Sequence, residues 1–404
     1  MPTTIDGKVT PLTTQNTTGI ARIKQALSSW WPSPWPIGDF IAELRGKPYA
    51  NEAATAVAYP IFANGNCPGQ ALVERDPELV AIYHETAPAA ADYPQPKTDG
   101  YCEAIARFTG APPEAVIPMG SGLKQIGALV RHLHPTEVIA LDGDFRGYAL
   151  ASEVQGIPFR SVPAEPGLDD RIYDVLADQA AQCWRPIFMT TIGFTNPLAT
   201  CIDPHRAVAA IKAANPDAMV IVDSAYAEYA GISQAELTPL ALNYAGVIVL
   251  APASKILFAA GAASGWLIVG DKALLRHLGT KAWPYEPSGF GSRLLPKLIG
   301  RADLINRARS QVQHASAILG AGCSELFGAA KVSAGPWPWV LVDAGHAAGD
   351  VTNSLKAKEI HVQRQSGISG QLGQNWIRIS STTPAQAQAI VDALRDLLRG
   401  GSVN

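Results

Sequence analysis

The sequence predicts an α/β protein built on a mostly parallel sheet of seven strands, followed by a smaller α+β unit. Three observations predict it. Through the middle of the chain, short β-rich apolar runs alternate with longer Ala-rich segments of helical period. The runs are nearly continuous in hydrophobic residues, as strands covered by helices on both faces must be. After about Pro284 the alternation gives way to a long helical stretch and separate strand candidates.

Taken in order, the first landmark is Ser29-Trp30-Trp31-Pro32-Ser33-Pro34-Trp35-Pro36. It is not helical, because each proline removes a donor and restricts the residue before it. Its tryptophans are expected to pack on the core or on a partner subunit, with the substrate entrance as the alternative. The strand candidates are 116–119, 138–141, 158–162, 187–191, 219–222, 247–250 and 266–269. A single helix is expected over 294–319, then strands at 339–342, 361–363 and 376–379, and an amphipathic helix over 384–398. The implied division is an N-terminal segment 1–90 making small-domain and dimer contacts, a large domain 91–288 and a small C-terminal domain 289–404.

At 404 residues the chain has room for such a pair of domains, and its formal charge of −3 is dispersed, which excludes the basic stripe that nucleic acid requires. No apolar run approaches a membrane span and residues 1–10 lack a leader's hydrophobic region, so a cytoplasmic protein with neither nucleic acid nor membrane as partner is expected. Five cysteines (Cys67, Cys102, Cys183, Cys201, Cys323) lie without a C-x-x-C pair, and the close histidines His132 and His134 do not share a helix face. Neither a disulfide framework nor a metal site is expected.

Two familiar motifs fail at the Gly120-Ser121-Gly122 turn. A dinucleotide fingerprint needs a glycine where Gln125 stands, and a nucleophile elbow centred on Ser121 needs glycines where Met119 and Leu123 stand. What survives is a helix N-terminus, formed by Ser121, Gly122, Leu123 and Lys124, whose free N–H groups and dipole suit a phosphate. The later strands run into Thr195-Asn196-Pro197, Asp223-Ser224-Ala225-Tyr226 and Ser254-Lys255, at the strand ends where open α/β sheets place their ligands. An aspartate ending an apolar strand is costly without a cationic partner. The pyridinium nitrogen of pyridoxal 5′-phosphate (PLP) is such a partner.

With these residues in order, the chain resembles the fold-type-I (aspartate-aminotransferase-like) PLP enzymes of class I/II, in the branch of histidinol-phosphate aminotransferase and threonine-phosphate decarboxylase. The resemblance runs from about residue 90 to the C-terminus. It rests on Tyr93-Pro94-Gln95-Pro96-Lys97, the glycine turn, Asp144-Phe145-Arg146-Gly147-Tyr148, Asn196-Pro197, Asp223-x-x-Tyr226, Ser254-Lys255 with Gly261 and Gly265, and Ile377-Arg378-Ile379-Ser380. It implies that Lys255 carries PLP as a Schiff base and shuttles the α-proton, and that Asp223 keeps the pyridine nitrogen protonated. Tyr226 and Asn196 would bond the ring's phenolic oxygen, and Phe145 would stack on its face. Tyr93 would reach the phosphate in a partner subunit, which implies a homodimer with shared sites. Arg378 would clamp the substrate α-carboxylate through two parallel hydrogen bonds, and Arg364 would meet a distal anion.

The chain departs from the family at the phosphate. The position of the usual arginine is Ala263, and that of the usual hydroxyl is Pro252. Lys124, on the first turn after Gly122, is the residue expected to stand in for the arginine. The turn Asn196-Pro197-Leu198-Ala199 departs from the family's Asn-Pro-Thr-Gly as well. The expected activity is transamination of an amino acid or a phosphorylated relative, in specialised biosynthesis. Decarboxylation, elimination, substitution, cyclisation or oxygen-dependent oxidation on the same scaffold is the alternative. A non-catalytic regulatory module is the third reading, opposed by the presence of Lys255, Asp223, Tyr226 and Asn196.

Overall fold

A computed structural model describes residues 61–64, 76–94, 100–164, 167–168, 170–279, 286–365, 373–380 and 383–399. The tryptophan-rich segment 29–36, Cys67 and residues 95–97 lie outside the described residues. The central sheet has seven strands: β1 (Val116–Met119), β2 (Val138–Leu141), β3 (Phe159–Val162), β4 (Ile187–Thr191), β5 (Met219–Asp223), β6 (Val247–Pro252) and β7 (Gly265–Val269). Their spatial order is β1-β7-β6-β5-β4-β2-β3, and β7 alone runs against its neighbours.

Alternate residues of each strand enter two different cores, as the two-residue period of a strand requires. Ile187, Met189, Ile221, Ile248 and Leu250 pack on one side with helices α3 (Gly122–Leu133) and α4 (Gly147–Gln155). Phe188, Val220, Val222, Val247 and Val249 pack on the other with α2 (Tyr101–Thr109), α5 (Ile172–Ala181), α6 (Pro204–Ala214) and α7 (Gln234–Asn243). Strand β3 departs from the expectation of two buried faces: Phe159, Arg160 and Ser161 are exposed because it is the sheet's edge. There Arg160 is held by Glu137, and a charge on an edge discourages pairing with another chain.

The helix expected over 294–319 is in fact two, α9 (Gly289–Ile299) and α10 (Ala302–Phe327), preceded by α1 (Pro77–Thr86) and α8 (Lys272–Gly279) in chain order. On either side of the break at Gly300 and Arg301, Leu298 and Leu304 are both fully buried in one core. Beyond it, β8 (Val332–Ala334), β9 (Trp339–Asp343), β10 (Gln363–Arg364) and β11 (Trp376–Ser380) form an antiparallel sheet in the order β8-β9-β11-β10. It packs with α10, α11 (Ala348–Ala357) and α12 (Pro384–Arg399) around Leu319, Val340, Ile379 and Ile390. The strand expected at 361–363 divides in two. Ile360–His361 pairs in parallel with Ile61–Phe62, and Gln363–Arg364 pairs with β11. Residues 61–63 thus return to the small sheet, where the Ser380 amide also donates to the Ala63 carbonyl at 2.7 Å.

Candidate active site

The register of the parallel strands decides which side chains meet at their C-terminal ends. Thr191, the last residue of β4, lies beside Asp223, the last of β5, and Asp223 lies beside Leu250 of β6. Asp223 is buried; its Oδ1 accepts from the Ala225 amide at 3.0 Å and its Oδ2 from the Tyr148 hydroxyl at 2.9 Å. Burial pushes its carboxyl up to about 7, with a smaller push from the nearby Asp144. Among the described residues no cationic side chain pairs with it. Ser254 and Lys255 stand on a single helical turn, Ala253–Ile256, directly after β6, and both are half-buried.

Phe145 is positioned by a glycine. A Cβ on Gly147 would lie 2.2 Å from the Phe145 ring, so only glycine lets that ring fold back, edge-on to Tyr148 at 5.6 Å. Gly143 is the second such position: with φ of +68°, its Cβ would meet Leu198 at 2.7 Å. That contact, with the Leu198 amide donating to the Gly143 carbonyl at 3.1 Å, seats the Asn196-Pro197 turn against the loop before α4.

Asn196 joins the two sheets. Its Nδ2 donates to the Tyr226 hydroxyl at 3.4 Å, and its Oδ1 accepts from Arg378 Nη1 at 3.0 Å. Tyr226 is buried edge-on against Trp339 at 4.9 Å, and the Trp339 indole donates to the Pro197 carbonyl at 2.9 Å. Arg378 is buried as well. Its Nη2 donates to both the Asn64 carbonyl at 2.5 Å and Gln363 Oε1, and its Nε has no partner among the described residues. All of these acceptors are neutral, and loss of water lowers the guanidinium to about 10.

At the phosphate end, Ser121 caps α3 without a side-chain hydrogen bond, and Gly122 and Leu123 are half-buried. A Cβ on Gly122 would lie 3.1 Å from Pro252, so the proline that replaces the expected hydroxyl packs directly on the turn. Ala263 sits in a left-handed conformation beyond Lys255. Lys124, the expected stand-in for the arginine, is engaged by the carboxylate of Glu286, which also accepts from the Gly120 amide at 3.2 Å and Gln125 Nε2 at 2.5 Å. Tyr93 is strongly exposed. Arg364 is not brought to the others: it is exposed, bonds the Gln374 carbonyl at 2.7 Å and lies over Gly349 of α11.

Sequence reasoning did not single out Thr191, Glu286, Gln363 or Trp339, and it quoted Asp144 and Tyr148 only as parts of a motif. The polar pair Thr190-Thr191 closing an apolar strand was the signal for Thr191. Glu286 carried none, since its place at the α3 turn comes from a contact across more than 160 residues.

The family model for aminotransferase class I and II matches residues 59–394. The chain belongs to this family. It is therefore a PLP-dependent transferase of fold type I, as the motifs implied. The histidinol-phosphate aminotransferase of Aromatoleum aromaticum is 28% identical over 337 residues, covering 80% of this chain and 88% of that one. That of Symbiobacterium thermophilum is 24% identical over 329 residues, with shares of 80% and 88%. Among solved structures, the histidinol-phosphate aminotransferase of Sinorhizobium meliloti in complex with pyridoxal 5′-phosphate superposes with a TM-score of 0.73. It is 17% identical, with 88% of this chain and 96% of that one covered. The L-threonine-O-3-phosphate decarboxylase of Porphyromonas gingivalis superposes at 0.65 and 12% identity, with 85% and 98% covered. At these identities the superpositions show the shared fold.

Proposed function

We propose that this member of the family transaminates an α-amino acid or a phosphorylated amino-acid relative, with PLP attached to Lys255, in a specialised biosynthetic role in the cytoplasm. The observation that carries the reading is Arg378. A buried guanidinium held, among the described residues, by neutral acceptors and with Nε unsatisfied there is a charge that a substrate carboxylate would neutralise. Asp223 at the opposite side of the constellation is a buried carboxylate with no cationic partner among the described residues, which suits a ring nitrogen. The residues present therefore fit the cofactor.

When bound, PLP supplies an electron-withdrawing ring that accepts the electron pair left on the substrate's α-carbon. Asp223 holds the proton of the ring nitrogen. Lys255 Nζ would hold the cofactor and, when free, would take the proton from the substrate's α-carbon and return it. Asn196 and Tyr226 would orient the ring oxygen, Phe145 would cover the ring, and the amides of Gly122 and Leu123 with the turns at Ser121 and Ser254 would receive the phosphate. Lys124 would turn from Glu286 to the phosphate. The departures at Ala263 and Pro252 support a specialised rather than a housekeeping enzyme. Arg364, exposed and bonded to the Gln374 carbonyl, would be the contact for a distal anion.

The exposed Tyr93 supports a homodimer whose sites are shared, and the return of residues 61–63 to the small sheet supports an N-terminal segment that serves that unit. Sedimentation that found a monomer would remove the shared site. For the reaction, the enzyme is given one equivalent of each candidate amino acid with no keto-acid acceptor, and products are read by mass spectrometry. One keto acid per site, with the cofactor left aminated, is expected. Carbon dioxide with repeated turnover, oxygen consumption, or release of a side-chain leaving group would replace transamination with decarboxylation, oxidation or elimination.

A further inference from the structure

Behind Asp223 lies a series of three buried side chains that the proposed reaction has not used. Asp144 closes the loop after β2, Thr191 ends β4, Tyr148 stands in the first turn of α4, and Asp223 ends β5. Their oxygens follow one another at short spacing. Asp144 Oδ1 is 2.6 Å from the Thr191 hydroxyl, that hydroxyl is 3.0 Å from the Tyr148 hydroxyl, and Tyr148 is 2.9 Å from Asp223 Oδ2.

We propose that Asp144, Thr191 and Tyr148 form a one-proton relay behind Asp223 that keeps the cofactor's ring nitrogen protonated, with Asp144 as the remote positioning residue. The inference rests on the reading of Asp223 as the partner of that nitrogen.

Counting protons carries it. Three oxygen–oxygen contacts in series need three protons to be hydrogen bonds, and the two hydroxyls supply two. With both carboxyls ionised, each hydroxyl turns to its nearer carboxylate, and the Tyr148–Thr191 contact sets lone pair against lone pair. One further proton on either carboxyl fills every contact and leaves a single negative charge on the set. Two buried carboxylates so close favour that state, since both cannot ionise without mutual repulsion.

The ends of the relay are not equivalent. Asp144 accepts the amides of Phe145 at 2.7 Å and Thr191 at 3.0 Å, and that of Asn196 as well. Asp223 accepts one amide, that of Ala225. A carboxylate with more amide donors keeps the negative charge, so the shared proton resides at Asp223. Burial pushes both carboxyls up in the same order, Asp223 to about 7 and Asp144 to about 6. Among the described residues, the groups that face Asp223 are Tyr148, the Ala225 amide and the charge of Asp144.

When the ring nitrogen takes its place against Asp223, the Oδ–H bond breaks and an N–H bond forms. The oxygen keeps its electron pair, Asp223 becomes a carboxylate, and the ring becomes cationic. No other proton enters or leaves. The charge on Asp144 opposes loss of that proton to solvent; Tyr148 turns its hydroxyl to the new carboxylate, and the bond from the ring N–H to Asp223 offsets the contact with Thr191 that this leaves unfilled.

The test uses holoenzyme reconstituted with cofactor labelled with nitrogen-15 in the ring, read by NMR between about pH 6 and pH 9. The wild-type nitrogen is expected at its protonated position throughout. In Asp144→Asn the pH at which it loses its proton should fall into that range. In Thr191→Val, which keeps the side chain's shape and cuts the relay, it should fall in the same direction. Borohydride reduction, followed by peptide mapping to Lys255, confirms loading in each variant. A wild-type nitrogen position retained by the loaded variants would overturn the relay, with Thr191→Val deciding alone if Asp144→Asn does not fold. An unprotonated nitrogen in the wild type would instead overturn the reading of Asp223, and the relay with it.

Discussion

Arg378 shows how much a single residue's surroundings add to its identity. Its position opposite Leu341 and Gln363 in the small sheet places a guanidinium where water does not reach, against Asn196 from the large sheet. Replacing it with alanine removes the cation that a substrate carboxylate would meet. The expected cost is about 2–4 kcal/mol in kcat/KM for α-amino acids, mostly as a raised KM. Amines that lack the carboxylate should lose nothing. Steady-state kinetics on a matched amino acid and amine check it, and equal losses on both would mean that Arg378 supports the join between the sheets. Lys255→Ala tests the other end of the site. The fold should remain, and the borohydride-reducible adduct should vanish. An adduct persisting at one site would place the cofactor on a different lysine.

At the scale of an element, helix α3 offers its N-terminus to an anion, and the protein already places one there. The Glu286 carboxylate takes the Gly120 amide, Lys124 and Gln125, in a cup that lacks the family's arginine. Cofactor phosphate must displace this carboxylate or share its donors with it. Glu286→Gln removes the charge and keeps the shape, so PLP should be held more tightly, by about threefold to tenfold. Lys124→Ala should weaken retention by a comparable factor while changing stability little, since the side chain is largely exposed. Equilibrium dialysis of the two variants reads both effects. Unchanged affinity in both would move phosphate recognition to the amides of Gly122 and Leu123 alone.

For the whole molecule, two carboxyls buried at the sheet's edge couple folding to pH. In the protein stripped of cofactor, Asp223 and Asp144 hold protons up to about 7 and about 6. In the unfolded chain the same groups lose them near about pH 4. Between those limits the folded state binds more protons than the unfolded one, so stability falls as pH rises from about 4 to about 7 and then levels. The contribution is largest at the acid end of that window. Urea unfolding of the stripped protein at a series of pH values should show this slope, and Asp223→Asn should flatten it. A slope that is the same in both proteins would assign it to other groups.

The apolar runs of β2 and β6 were legible by themselves, because a strand covered on both faces must be hydrophobic along its whole length. So were the places of Asp223, closing one such run, and of Asn196 and Lys255 a few residues beyond two others, at the C-terminal ends of the strands. The exposed face of β3 was not, because edge position is a property of the sheet's order and not of four residues. Nor was the break at Gly300, which the helical period runs through and only the burial of Leu298 and Leu304 in one core requires. The same limit holds in the site. Local sequence determined which chemical groups the strand ends carry. Register alone set Thr191 beside Asp223, and long-range packing alone brought Glu286 to α3 and Arg378 to Asn196, because contacts between distant segments leave no periodic trace in either.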